Sequence, residues 1–385
     1  MTTVAHIDHT SESGGAELAL ARLIHGRPRW VPHIFIPPRE DSQPSAFAGI
    51  PHEFISTVGV SQPAGAIGSS LAGQLSLLTR SVYQGIALRF DRNYRDSEIA
   101  HANTSRAALI GWVSCVGSRR PLVVHLRDAI DADAIGPRNA RLLKFIIGRA
   151  NGVIANSKYT LATAAPYISS DALAQVIPSS IGLTTRRYPV KTRTTVRTIG
   201  MLSRITEWKG QELLIRAFAH HFKGLSIELQ LAGAPAFGQQ SHLLHLEKLS
   251  QELGVGAQVR FLGHIDDIWP LLDSWDVCVH ASLHSEPLGQ NVLQYLAACR
   301  PTIAANSGGP TEWVDHESTG LLFEPGSKFE LGNALRRLVE DKELRGRFSS
   351  ALAAAQPVPT DSAIMRMYEN FFESLRKDWG VPQTI

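Results

Sequence analysis

Cysteine is scarce in this chain and widely spaced. Only Cys115, Cys278 and Cys299 occur among 385 residues, in no C-x-x-C pair. That excludes a disulfide framework and a zinc ribbon and suits a reducing compartment. Long apolar runs are missing too, since no stretch reaches the ~18 consecutive apolar residues that a membrane-crossing helix needs. The first twenty residues carry Glu12, Gly14, Gly15 and Glu17 where a secretion signal has its apolar centre. The net charge of +3 is too small to argue for nucleic acid. Against these absences stand 44% hydrophobic and only 19% charged residues, enough to bury substantial cores. The length suits two domains of about 100–200 residues each. The reading is a globular, cytoplasmic protein.

The charge is unevenly spread. Residues 1–190 hold 19 Lys and Arg against 13 Asp and Glu, and the remainder holds 19 against 22. A basic half beside a mildly acidic one suggests different partners, the basic one suiting an anionic acceptor or the inner face of a membrane.

Short apolar runs alternate with amphipathic stretches. Strands are expected at residues 3–7, 33–36, 97–101, 122–126, 152–155 and 174–177. The rhythm returns at 197–202, 227–232, 258–262, 277–281 and 301–304, with helices near 16–23, 211–221 and 241–253. Such alternation argues for βαβ units, hence an α/β fold of two doubly wound parallel-sheet domains. The seam is expected where Pro189 and a Thr-rich stretch break the periodicity, dividing the chain into 1–190, 191–360 and a terminal helix within 361–385. Ligands of open parallel sheets sit beyond the carboxyl ends of the strands, which makes a cleft between the domains the default site.

Three segments offer chemistry. In the first, Ser13-Gly14-Gly15-Ala16-Glu17 joins a strand to a helix, and two glycines there let backbone amides approach an anion such as a diphosphate. A plain tight turn is the alternative, and the segment is not the dinucleotide fingerprint G-x-G-x-x-G. In the second, Arg204 and Lys209 follow the strand ending at Leu202 and are placed to neutralise a pyrophosphate. The third runs from Glu286 to Gln294, directly after a strand. Gly289 would expose amides at a helix start, Glu286 would accept from sugar hydroxyls, and Gln290 and Gln294 would share a helix face toward a ribose. Solvated cations, a dipole-complementing acid and a surface amide are the plainer readings.

In order and spacing these segments resemble the retaining GT-B glycosyltransferases of the family 4 type, also called glycosyl transferases group 1. The resemblance extends through VIANSKYT at 153–160, LAGAP at 231–235, FLGHIDDIWPLLDSWDVCVHAS at 261–282 and EPLGQNVLQYLAACRPTIAANSGGPTEWV at 286–314. It implies two Rossmann-like domains, a nucleotide-sugar donor held mainly by the second, and a final helix that crosses back to the first. By the same resemblance Gly15 donates an amide to the donor phosphate and Arg204 and Lys209 bind the diphosphate. Glu286 touches the transferred sugar, Leu288 and Gly289 hold phosphate, and Ile265 faces the base through its backbone. A UDP- or GDP-sugar would pass its sugar to an acceptor hydroxyl with retention, with no cofactor and no metal, by electrostatic stabilisation and positioning.

Two departures stand out. The family pattern E-x7-E has Gln294 at its second position, a change worth on the order of 1 kcal/mol in ribose binding. Where many relatives place a histidine directly before Asp128, this chain has Arg127, with His125 two residues earlier on the same strand face. Arg127 is the favoured residue for the sugar site, and His125 reads equally well as a buried core histidine.

Weaker features are Asp128, Asp131 and Asp133, which imitate a metal-binding cluster but read as helix caps, and a basic strip of Arg89, Arg92 and Arg95 with Phe90 and Tyr94 that reads first as a solvated helix face and otherwise would suit phospholipid or a lipid-linked acceptor. The stretch Ser56–Ser81, rich in Gly, Ser, Ala and Gln, reads as a mobile part of the acceptor side. The acceptor, carbohydrate, lipid-linked or small, is not legible. Competing readings are a GT-B epimerase or phosphorylase and a non-catalytic donor-binding subunit.

Overall fold

The structure is a computed structural model and describes all residues except 13, 39–44, 62–70, 131–135, 188–191, 237 and 381–385. The chain forms two units, one of Met1–Thr184 with Thr360–Ile385 and one of Thr185–Pro359.

The first unit contains β1 (Thr3–Ile7), β2 (Val31–Ile36), β3 (Ile55–Thr57), β4 (Ile99–Ala102), β5 (Leu122–Leu126), β6 (Gly152–Ala155) and β7 (Leu173–Val176). They pair in the order β3-β2-β1-β4-β5-β6-β7, every pair parallel. β1, β4, β5 and β6 are buried along almost their whole length, as expected of short apolar strands covered on both faces. The second unit contains β8 (Thr198–Leu202), β9 (Glu228–Ala232), β10 (Val259–Gly263), β11 (Val277–His280), β12 (Thr302–Ala305) and β13 (Gly320–Phe323), again all parallel, in the order β10-β9-β8-β11-β12-β13. Both sheets reverse direction beside their first strand, between β1 and β4 and between β8 and β11. Those switch points open the crevice where open α/β sheets take ligands.

Two short strands escape the sequence reading, β3 and β13, because three or four residues carry too little pattern. The expectation for Ser56–Ser81 needs correction. Ser56 and Thr57 belong to β3, residues 62–70 lie outside the described residues, and Leu71–Leu88 is a helix. Its Leu75, Leu77, Leu78 and Val82 recur at helical spacing, which outweighs the Gly- and Ser-rich composition.

The last helix, Asp361–Asp378, belongs to the first unit. The Asp361 carboxylate accepts from the amides of Ile181 and Leu183, both at 3.2 Å, and Thr360 caps the helix by accepting from Ala363 N. Ile364, Tyr368, Phe371, Phe372 and Leu375 then pack on Val4, Ile99, Val123 and Ile154 of the sheet, each burial worth about 1.5–3 kcal/mol.

Under this helix runs a polar seam with fixed direction. Trp30 Nε1 donates to His6 Nε2 at 2.9 Å, so His6 carries its proton on Nδ1, 2.9 Å from His101 Nδ1. His101 Nε2 is then the donor toward His125 Nδ1 at 3.3 Å, beside the Tyr368 hydroxyl. All three histidines are fully buried, and burial pushes their pKa values down, that of His6 to about 3. They therefore stay neutral in the folded state while their unfolded counterparts titrate near 6.5. Stability from this source is intact above pH 6.5 and falls below it, by about 1.4 kcal/mol per histidine and pH unit. The buried Glu17, pushed up to about 8 by desolvation and by Asp8, opposes the trend with one proton. Calorimetric melting between pH 7.5 and 5 should show the melting temperature of the first unit dropping as pH falls. A flat profile would show that the histidines charge without cost.

Candidate nucleotide-sugar site

The second unit builds its site at the carboxyl ends of β8 and β11. After β8 the chain passes Ser203 and Arg204, makes a short turn over Glu207–Lys209, and enters the helix Gln211–Phe222 through Gly210 at φ 77°. Gly210 is required twice over, by that left-handed backbone and because a Cβ there would lie 2.0 Å from the Ala281 carbonyl oxygen. The turn is thus pressed against the end of β11, and Leu283 N donates to the Trp208 carbonyl at 2.8 Å.

This contact delivers Lys209 to Glu286. Lys209 Nζ lies 2.5 Å from Glu286 Oε1, and the same oxygen accepts from Ser282 Oγ and lies 2.9 Å from His280 Nε2. The bonds converge on Oε1, and Oε2 takes no part in them. Glu286 is buried; desolvation opposes its ionisation, but Lys209 and His280 outweigh it and hold the carboxyl well below the usual carboxylate range. A carboxylate so held accepts hydrogen bonds near neutral pH and has no proton to give.

Beyond Glu286 the backbone turns through Gly289 at φ 71° into the helix Gln290–Ala297, whose positive dipole end favours an anion. A second glycine pair closes in from β12: a Cβ on Gly308 or Gly309 would meet the carbonyls of Glu286 and Pro287 at 2.4 and 2.3 Å, and Gly309 N donates to Glu286 O at 2.8 Å. From the same helix, Asn291 Nδ2 donates to the Leu202 carbonyl at 2.9 Å, and the Tyr295 hydroxyl accepts from Leu202 N at 2.6 Å while reaching Val279 O at 3.2 Å. These bonds fasten the ends of β8 and β11 to one helix.

The other expected residues of this unit fall around that centre. Arg204 is exposed, and among the described residues its guanidinium has no carboxylate partner. Gln294 is buried and Gln290 half-buried on the helix that begins after Gly289, and the Leu288 side chain is buried. Ile265, after β10, packs half-buried on a cluster containing Trp275 and Tyr295. Sequence reasoning missed His280, Ser282, Asn291, Tyr295, Gly308 and Gly309. His280 and Ser282 were findable, since residues two apart at a strand end point the same way, toward the loop that carries Glu286.

In the first unit a second polar centre forms at the switch between β1 and β4. Gly14 caps the helix Gly15–His25, and a Cβ there would lie 2.2 Å from Glu17 Oε2, so the Glu17 carboxyl folds back over the glycine turn. Asp8 accepts from Asn103 Nδ2 at 2.7 Å and from His9 N at 2.8 Å. Arg127 is buried and gives one bond from each nitrogen, to Asn103 O at 3.0 Å, Asn103 Oδ1 at 2.8 Å and Ser179 Oγ at 2.9 Å. His125 is buried without exposure in the seam beneath the terminal helix, where no ligand reaches it. That is the core-histidine alternative. Asp8, His9 and Glu17 lie close enough to share a metal ion, and Asp8 already accepts from Asn103 and His9. Asp131 and Asp133 lie outside the described residues.

Residues 185–353 match the family model for glycosyl transferases group 1. That match takes in nearly the whole of the second unit. The chain is 34% identical over 148 residues to the lipopolysaccharide core biosynthesis glycosyltransferase LpsE of Rhizobium meliloti, covering 38% of this chain and 41% of the relative. It is 33% identical over 168 residues to a GDP-mannose-dependent alpha-(1-6)-phosphatidylinositol monomannoside mannosyltransferase of Mycobacterium tuberculosis, covering 41% of each. These matches span about two fifths of the curated relatives' own length. Over the whole chain the fold is that of Anabaena Alr3699/HepE, solved with UDP and glucose, at 26% identity and a TM-score of 0.78, covering 97% of this chain and all of that one. Sucrose-phosphate synthase of Thermosynechococcus elongatus shares the fold at the same TM-score and 21% identity. The architecture is therefore GT-B.

Glu17 carries a consequence for stability. Its folded value near 8 lies above the ordinary 4.5, so burying it is free of cost below pH 4.5 and destabilises increasingly up to pH 8. Glu17→Gln should match the wild type near pH 5 and exceed it at pH 8 by roughly 2–4 kcal/mol in urea unfolding of the first unit. Equal curves at both pH values would show that the carboxyl ionises freely.

Proposed function

We propose that this protein is a retaining glycosyltransferase that moves a hexosyl group from a UDP- or GDP-sugar to an acceptor hydroxyl without a metal ion. The observation that carries the reading is the meeting of Lys209 and Glu286 at the β8–β11 switch point, beside the glycine-led start of the helix Gln290–Ala297. The family match of this unit supports it, as do the UDP and glucose bound by HepE and the GDP-mannose dependence of the mycobacterial relative.

In this mechanism the amides of Leu288 and Gly289 and the cations Arg204 and Lys209 take the donor diphosphate. The bond between the anomeric carbon and the phosphate oxygen breaks, and the acceptor oxygen bonds that carbon from the same face. The acceptor proton passes to the departing phosphate oxygen, whose growing charge Lys209 and Arg204 neutralise. Glu286, ionised throughout, orients sugar hydroxyls through Oε2 while His280 and Ser282 fix its rotamer. Gln294 contacts ribose as a neutral acceptor and donor. The acceptor is a carbohydrate, lipid-linked or small-molecule hydroxyl met by the first unit, and the reaction runs in the cytoplasm.

A thermal-shift series with UDP, GDP, ADP and their sugars tests the reading, because a ligand of the folded state raises its melting temperature. One uridine or guanosine series should raise it, and transfer with added acceptor should give a product whose anomeric coupling matches the donor, undiminished by EDTA. No shift with any nucleotide would sink the proposal. Lys209→Ala should weaken donor binding by about 10–100-fold in calorimetry, the loss of a charge-assisted bond. Gln294→Ala should weaken it several-fold, and unchanged affinity would remove Gln294 from the ribose site. The substitution of Gln for Glu at position 294 also sustains a second reading, a donor-binding subunit without activity, which donor binding with neither hydrolysis nor transfer would favour.

A further inference from the structure

The helix Leu71–Leu88 of the first unit wears its apolar side outward. Leu75 is 61% exposed, Leu78 41%, Tyr83 55% and Ile86 46%, and Phe90, in the turn that follows, 78%. At 3.6 residues per turn the four helical positions fall within about 140° of the circumference. The inward side sends Leu88 into the core but also carries polar residues. Ser81 and Gln84 are buried, Gln84 Nε2 donates to the Asp8 carbonyl at 3.3 Å, and Gly85 lets the helix press on Val113 and the Ile110 carbonyl of the helix Ala107–Cys115. Folding therefore does not account for the outer apolar residues, and a contiguous patch of this kind marks a docking surface.

Charge decides what docks there. Residues 54–90 contain no Asp or Glu, while Arg80 and Arg89 lie on the helix and its end. Arg89, Arg92 and Arg95 are exposed beside Phe90, and among the described residues Arg92 meets only the exposed Asp96, at 3.9 Å. Tyr94, expected in the sequence reading to join this strip, is instead buried, its hydroxyl donating to Ser114 Oγ at 2.7 Å. No described helix is long and apolar enough to cross a membrane.

We infer that the outer face of the helix Leu71–Leu88, continued by Phe90 and rimmed by Arg89, Arg92 and Arg95, is a membrane-docking surface that lies in the interface of a bilayer rich in anionic phospholipid. The apolar side chains enter the acyl boundary, and the arginines meet headgroup phosphates, each cation adding about 1 kcal/mol near such a surface. The inference rests on the first unit alone and is independent of the chemistry of the second.

Flotation of the full chain with vesicles tests it, using phosphatidylcholine alone or with about 30 mol % phosphatidylglycerol. The wild type should float with the anionic vesicles and detach as salt rises to about 0.5 M, which screens the headgroup attraction. Ile86→Glu with Phe90→Glu, and separately Arg89→Glu with Arg92→Glu, should each lower the bound fraction about ten-fold. Both variants should keep the wild-type melting temperature and nucleotide shift, which separates this result from any failure of the transferase reading. Absence of flotation, or flotation indifferent to both variants, would overturn the inference. So would a dimer in sedimentation velocity that Ile86→Glu with Phe90→Glu dissolves while no vesicle is bound, since the patch would then belong to a second copy.

Discussion

The buried pair between Lys209 and Glu286 is the interaction around which the second unit is arranged. A carboxylate taken from water at a strand end is costly unless its partners converge on it, and here an ammonium, an imidazole and a hydroxyl do so. The partners arrive by two routes: Lys209 on the turn that Gly210 closes after β8, and His280 and Ser282 from the end of β11. The glycines at 308 and 309 let the β12 loop close over the Glu286 backbone. Replacing any of these glycines would lever a charged group away from the others, so the glycine pattern and the charge pattern are one constraint.

The first unit gathers polar groups at its own switch point. Its switch point is a network in which Asn103 links Asp8 to Arg127, and its sheet is sealed on one side by the terminal helix over three neutral histidines. A core of imidazoles in donor-to-acceptor order gives the returning helix a specific seat that an all-apolar core would specify less sharply. Acid sensitivity is the physical counterpart of that specificity.

Much of this was legible in advance. The alternation of short apolar runs with amphipathic stretches announced two parallel-sheet units, because strands covered on both faces must be continuously apolar. The motif around Glu286 and Gly289 marked a strand-to-helix turn that the structure contains. Other elements were too brief to read, such as β3, or were misread through composition, as when the helix starting at Leu71 was taken for mobile chain. Arg127 and His125 lie two residues apart in sequence, and their local pattern is indifferent to what each one meets.

By itself the sequence determined the fold class, the strand-end positions of the candidate phosphate-binding residues and the cationic character of the first half, because these follow from periodicity, glycine placement and charge count. Tertiary structure alone decided that Lys209 is bonded to Glu286, that His125 belongs to a sealed seam, that Arg127 bonds Asn103 and Ser179, and that the apolar face of the helix Leu71–Leu88 looks outward. Pairing partners and the direction a face looks are set by which distant segments the sheet order brings alongside, and local pattern contains no record of that order.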